Sequence, residues 1–381
     1  MSLSLGVPLE FGPVDSPSHM FIIVEFCYEN METVNKTPNF KRNLPSSSTK
    51  SQKKGANTFF STLCASSIHQ SQSKPAMTSS SSIITTMPEI HSDIVQTHVL
   101  TRLDGPTLAS FSSTSSDLHT ICKEEIHWKN LCNSNWPSTK DPLIQQIISQ
   151  FPSGHRSFFS DSYPTIRRLH HRRRKNTTQP EIIPQTSELI SAVDIHYENQ
   201  TIYSKVDKTV NRSICCRSTP FRLDLLDVKE VVRTKLKFDF EDDMCTVRME
   251  KNMRLSWILI NPVKKRTVNL SSLRPVEIRQ QMKGRIYIYF ATIIGDGIEG
   301  RFVKCGVDVT CERGKDDDVL NIREIGMQVE DMEGNILGGN DSLEIFEEAM
   351  ESKRIKATLG EEKKMYEMFM LWRDYIIHDK F

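Results

Sequence analysis

The sequence predicts an α+β protein: an N-terminal three-helix unit, then a mainly antiparallel β-sandwich-like domain with C-terminal helices. Three observations lead there. Apolar stripes at helical spacing begin after Thr86, β-branched runs with period two begin near Glu188, and helical spacing returns after Asp341. The 381 residues suffice for two or three domains at about 150 residues each. The changes of pattern set boundaries at 1–85, 86–135, 136–186, 187–352 and 353–381.

Residues 1–85 show no sustained period, and from Ser46 to Thr86 nearly half the residues are Ser or Thr. Such a stretch cannot bury enough apolar surface to offset its ordering entropy, so it is expected to be a disordered extension. Its acid-free part, Val34 to Met87, has transit-peptide composition but starts behind several acids; Met77 is an alternative start of the biological chain.

Order is expected from Thr86, a capping residue followed by Pro88 near the first helical position and by Glu89. Ile90 and Ile94 form one helical stripe, and Val95, Val99 and Leu103 a second beside it, which predicts one amphipathic helix. Asp104 to Thr107 ends it, with Gly105 available for a left-handed cap and Pro106 able to start the next helix. Leu108, Phe111, Leu118, Ile121 and Cys122 supply a second helix broken near Ser115 and Ser116, and Trp128 with Leu131 anchors a third. Ile144, Ile147, Ile148 and Phe151 then give helix plus loop, and the basic run Arg167 to Lys175 with Pro180 and Pro184 reads as a linker. Strands follow at 189–197, 201–206, 221–226, 255–260, 267–270, 286–294, 302–310 and 319–329, the spacing of an antiparallel sandwich. Asp341 is expected to cap a helix through its own carboxylate, and Glu361 to Ile377 forms the last one.

Composition excludes several function classes. Lys and Arg total 49 against 48 Asp and Glu, so the summed charge draws in neither DNA, RNA nor an anionic membrane. No run approaches the roughly 20 apolar residues that span a bilayer. The nine cysteines are scattered without any Cys-x-x-Cys, which points to a reduced protein of the cytoplasm or nucleus rather than a stapled secreted scaffold. Gly295 to Gly300 matches Gly-x-Gly-x-x-Gly, but an alternating strand follows where a phosphate-binding helix is required, so it is expected to be a hairpin turn. Cys305 and Cys311 lack a second ligand pair at zinc spacing, and no motif of hydrolases, metalloproteases or phosphate-binding loops occurs. Neither an enzyme nor a cofactor or metal site is expected.

The helical unit resembles an F-box. Met87-Pro88-Glu89-Ile90 stands at its start, Val99-Leu100-Thr101-Arg102-Leu103-Asp104 at the first helix end, Thr107 to Phe111 in the second helix and Ile126 to Leu131 in the third. One departure is Thr114 to Leu118, which stands where the motif usually carries Val-Cys-x-x-Trp. The stretches beginning at Ser187, Pro220, Leu255 and Met327 are similar to one group of plant F-box proteins whose β-rich domain follows the F-box, and the resemblance covers 77–350.

The resemblance implies a substrate receptor of a Skp-cullin-F-box ubiquitin ligase, with a Skp-type adaptor, cullin through it, and an unknown protein target as partners. An F-box is too small to cover all its apolar side chains, so the remainder is buried on the adaptor. The expected Skp-binding residues are Pro88, Ile90, Ile94, Val99, Leu100, Leu103, Leu108 and Phe111, with Trp128 in the core. The loops 207–219 and 239–251 are candidates for reading the target. A competing reading is a lectin-like carbohydrate-binding module without a ligase role, in which Trp257, Tyr287 or Tyr289 stacks on sugar rings; alternation sets Trp257 beside Leu259 on one face, which favours a core role for it.

Overall fold

The computed structural model describes residues 92–163, 189–208, 220–242, 244–281, 284–295, 302–314, 318–352, 354 and 360–379. The expectations for residues 1–85, for Pro88 and Ile90 and for the basic run at 167–175 lie outside them. Within them the chain is α+β, with helices flanking two antiparallel sheets.

The helical part begins with α1 (Ser92–Ile94), which continues through a π-helical turn (Val95–Val99) and a 3-10 turn (Leu100–Arg102). It goes on with α2 (Gly105–Phe111), α3 (Ser116–Cys122), α4 (Glu125–Asn135), a 3-10 turn (Pro137–Lys140), α5 (Pro142–Ile148) and α6 (Gly154–Ser162). The break expected near Ser115 is real. Ser115 is the N-cap of α3, and its hydroxyl accepts from the Leu118 N–H at 3.2 Å.

Four strands form the first sheet in the order β2, β1, β5, β6: β1 (Ile190–Tyr197), β2 (Gln200–Lys208), β5 (Met253–Asn261) and β6 (Arg266–Asn269). The second sheet runs β3, β10, β9, β8, β7, with β4 also on β10: β3 (Arg222–Asp224), β4 (Val232–Lys237), β7 (Glu277–Gln281), β8 (Arg285–Gly295), β9 (Phe302–Arg313) and β10 (Val319–Glu330). Gly295 pairs with Phe302, so β8 and β9 are antiparallel neighbours and a strand, where a phosphate-binding helix is required, begins at Phe302; residues 296–301 lie outside the described residues.

Three elements were not expected. β4 escapes a pattern search because its outer side is Arg233, Lys235 and Lys237 while Val232, Thr234 and Leu236 face inward; charge on an edge strand blunts pairing with other chains. The short, polar β7 is likewise an edge strand. In place of the loop expected at 239–251 stands α7 (Cys245–Asn252), anchored by buried Cys245 and Met249 one turn apart. A fourth difference concerns α8 (Gly339–Glu351). Its N-cap is Gly338 with no side-chain cap bond, and Asp341 sits inside the first turn, where its charge favours the helix dipole without capping it.

Alternation in β1 and β5 explains the layering. Val193, Ile195, Leu255, Trp257 and Leu259 face the second sheet, meeting Ile286, Ile288, Phe290, Val307, Ile325 and Phe346 of α8 in the main core. Ile190, Ala192, Ile258 and Ile260 point the other way, into the helices, against Trp136, Ile144, Ile148 and Phe158. The outer face of the second sheet is covered by α9 (Glu361–Asp379), whose Tyr366, Phe369 and Met370 lie on Ala291 and Phe302. No helix among the described residues is long and apolar enough to cross a membrane.

Trp257→Ala should lower unfolding stability by about 3 to 5 kcal/mol in denaturant titration, the range for emptying a large core site. The pH dependence is expected to carry a signature of Glu362 in the first turn of α9. Burial, joined by the Glu361 charge, raises its carboxyl from 4.5 to about 7, despite the Leu273 N–H that it accepts. The unfolded chain then binds fewer protons between those values, so stability should fall as pH rises from 4.5 to about 7. Comparing the denaturation midpoints of wild type and Glu362→Gln across that window checks it, since the variant should show a shallower fall.

Candidate functional site

The N-terminal helices hold most of the residues expected to contact a partner. Thr97 and Thr101 turn their hydroxyls back onto the carbonyls of Asp93 and Thr97, at 2.6 and 2.8 Å, an alternative partner that weakens a regular helical ladder. The ladder here widens to a π turn, in which the Leu100 N–H bonds the Val95 carbonyl five residues back. The extra residue changes which side chains face inward. Val95, Leu100 and Leu103 meet the helical core, and Val99, placed beside Val95 and Leu103 by a regular period, is left half-exposed.

Ile94, on the preceding turn, is 51% exposed. Leu100 and Leu108 are buried in the chain's own core, and Leu103 and Phe111 are half-buried at its margin. Pro88 and Ile90 lie outside the described residues. Of the eight expected contact residues, then, Ile94, Val99, Leu103 and Phe111 reach the surface to some degree, while Leu100 and Leu108 support them from beneath. Ile126 at the start of α4, 53% exposed, is an apolar surface residue that the stripe analysis missed because it stands two positions from the core Trp128.

The turn at 104–107 works differently from the expectation. Gly105 does not adopt the left-handed cap; it is the first residue of α2, capped by Asp104, whose carboxylate accepts from the Thr107 N–H at 2.8 Å. Its lack of a side chain serves a close approach: a Cβ there would collide with the Phe159 ring. That ring is held by Trp128, Trp136 and Tyr163, with centroids at 5.5, 5.3 and 5.5 Å, and the Trp128 indole donates to the Cys122 carbonyl at 2.8 Å. Trp128 is therefore a core residue, as expected.

A second support joins α4 to α6. Gly154 takes φ +52°, a conformation suited to glycine, and the Glu125 carboxylate beside it accepts from the His155 N–H at 3.0 Å and pairs with the His155 ring. The carboxylate thus satisfies a backbone donor at the start of α6.

The candidate target-reading loops fare unequally. Residues 209–219 lie outside the described set, and 239–251 is largely α7, with Met244 and Val247 exposed. The residues of the sugar-binding alternative do not form a platform. Trp257 is fully buried and donates to Ser191 at 3.1 Å, whereas Tyr289 is packed over Gly306 with the Lys304 ammonium 5.3 Å from its ring centroid. Only Tyr287 of the three is exposed, and a single ring does not make a sugar site. Cys305 and Cys311 are buried thiols, and burial pushes each up to about 12. No cluster of metal-ligating side chains occurs among the described residues.

Gly105→Ala is expected to cost roughly 1 to 3 kcal/mol of stability through overpacking against Phe159, measurable by thermal or denaturant unfolding. Leu108→Asp should abolish folding of the helices rather than act at the surface.

No family profile matches the chain, and no solved structure matches it. Three curated proteins of Arabidopsis thaliana do. F-box protein At2g27310 is 42% identical over 275 residues, 70% of this chain and 79% of the relative. Probable F-box protein At2g36090 is 39% identical over 285 residues, 74% and 81% of the two chains. F-box protein At3g44326 is 38% identical over 285 residues, 72% and 76%. Identity at this level over three quarters or more of each relative's length leaves one conclusion: the chain belongs to the plant F-box protein family.

Proposed function

We propose that this protein is the substrate-recognition subunit of a Skp-cullin-F-box ubiquitin ligase. The three helical segments that follow residue 86 act as the F-box and dock on a Skp-type adaptor, which links them to cullin. The β-rich part selects a target protein. Family membership carries the reading, and the half-exposed Ile94 agrees with it: an isoleucine 51% exposed forgoes about 1 kcal/mol of burial, which a partner surface restores. The docking face on this reading is formed by Pro88, Ile90, Ile94, Val99, Leu103 and Phe111, with Leu100 and Leu108 holding it from the inside.

In this role the chain performs no bond chemistry. It raises the effective concentration of a bound target beside a charged ubiquitin-conjugating enzyme, and other subunits carry the transfer. Cytoplasm or nucleus is the proposed site of action, where the free thiols stay reduced.

Full-length protein should copurify with a plant Skp. Ile94→Asp combined with Val99→Asp should weaken that association by roughly 100-fold, about 2 to 3 kcal/mol, with the circular dichroism spectrum unchanged. Undiminished copurification of the folded double variant, or no Skp capture by the unaltered chain, would overturn the proposal.

A further inference from the structure

We infer that the adaptor-docking helices and the target-selecting sheets are clamped into one rigid body by two side chains at opposite ends of the seam between them, the fully buried Asp194 on the inner strand β1 and the partly buried Arg354 beside the edge strand β6. The geometry stands alone; its consequence for ubiquitin transfer rests on the ligase reading.

Asp194 lies on β1 on the face turned toward the helices, between Ala192 and the strand end, and is fully buried. One carboxylate oxygen accepts from the backbone N–H of Ser138 at 2.9 Å and from the Ser204 hydroxyl of β2 at 2.6 Å; the other accepts from the Ser138 hydroxyl at 2.5 Å. One carboxylate thereby joins β1, β2 and the 3-10 turn that connects α4 to α5. Each of those donors would be orphaned by an apolar replacement.

At the far edge, Arg354 extends its guanidinium to four backbone carbonyls. Nε donates to Asp161 of α6 at 2.8 Å, one terminal nitrogen to Thr267 of β6 at 2.8 Å, and the other to Ala349 and Ser352 at 2.9 Å each. Helix α6, strand β6 and the C-terminal end of α8 are thus held by a single side chain, whose partly desolvated setting lowers its pKa to about 10. The seam gains further ties from Arg266 to the Asp161 carboxylate at 3.0 Å and from Ser162 to Thr267 at 2.8 Å.

Between these edges the seam is apolar, with Trp136, Ile144 and Phe158 on Ile190, Ala192, Ile258 and Ile260. Apolar burial is non-directional and tolerates sliding, whereas hydrogen bonds of fixed length and angle do not. The apolar middle supplies adhesion and the polar edges fix orientation. A ligase receptor built this way presents its target at a set distance from the adaptor, without a hinge between the two functions.

The test uses the full-length chain carrying bio-orthogonal spin labels at exposed Lys129 on α4 and exposed Lys235 on β4. Distance distributions are read by double electron-electron resonance, with circular dichroism and tryptophan fluorescence reporting the fold. The unaltered chain should give one narrow peak. The folded variant Asp194→Leu with Arg354→Met should lose it to a broad distribution, and Arg354→Met with Asp194→Asn, which keeps an acceptor for Ser138 and Ser204, should recover part of the narrowing. Should the first variant fail to fold, Ser138→Ala with Ser204→Ala removes both hydroxyl donors to Asp194 and should broaden the peak to a smaller degree. A broad or split distribution in the unaltered chain, or a peak that stays narrow in every folded clamp variant, would refute the inference. The measurement needs no adaptor, so a narrow peak in a chain that ignores Skp refutes the ligase reading and leaves the clamps in place.

Discussion

The structure depends on two adjacent sheet strands that have no solvent face. The central strands β1 and β5 are buried on both sides, the odd-numbered residues of each turned to the second sheet and the even-numbered ones to the helices. An antiparallel sheet commonly leaves one face to water. Here both faces require cover, so the helices and the second sheet are equally obligatory. Register is constrained twice over, because a slip of one residue would turn Asp194 into the main core and Trp257 into the helices.

That constraint bears on function. In the proposed receptor, the adaptor-facing helices complete their core on the same strands that build the target-selecting part. Among the described residues of these helices, apolar surface is left at Ile94 and Val99 beside a π turn, at Ile126 on α4, and at the margin by Leu103 and Phe111. A π turn is an energetic concession that persists only where surrounding packing or function retains it. Here the hydroxyls of Thr97 and Thr101 stabilise the departure, and Leu100 fills the core place that the turn opens.

Polar pairs also hold the β-rich part together: Lys304 pairs with Glu330 at 2.9 Å across β9 and β10, and the Tyr366 hydroxyl donates to Glu277 at 2.8 Å to fasten α9.

Much was legible from the chain. The α+β class, the break at Ser115, the core role of Trp128 and Trp257, the antiparallel strands on either side of 296–301 and the two closing helices follow from local period and from turn residues, which act within a few positions. What stayed hidden depends on partners distant in sequence. Gly105 reads as a helix cap until Phe159 is seen against it; Leu100 reads as one more stripe residue until the π turn sends it inward; β4 and β7 carry edge-strand polarity that suppresses the alternating signal. Asp194 and Arg354 show no motif, because the groups they satisfy lie 56 residues away at Ser138 and 193 residues away at Asp161. Sequence alone determined most of the helices and the apolar strands, though not β4, β7 or α7, and the family they resemble, since both are written in short-range pattern. Which face each segment buries, and what locks helices to sheet, only the tertiary structure decided, because directional bonds between remote residues leave no periodic trace.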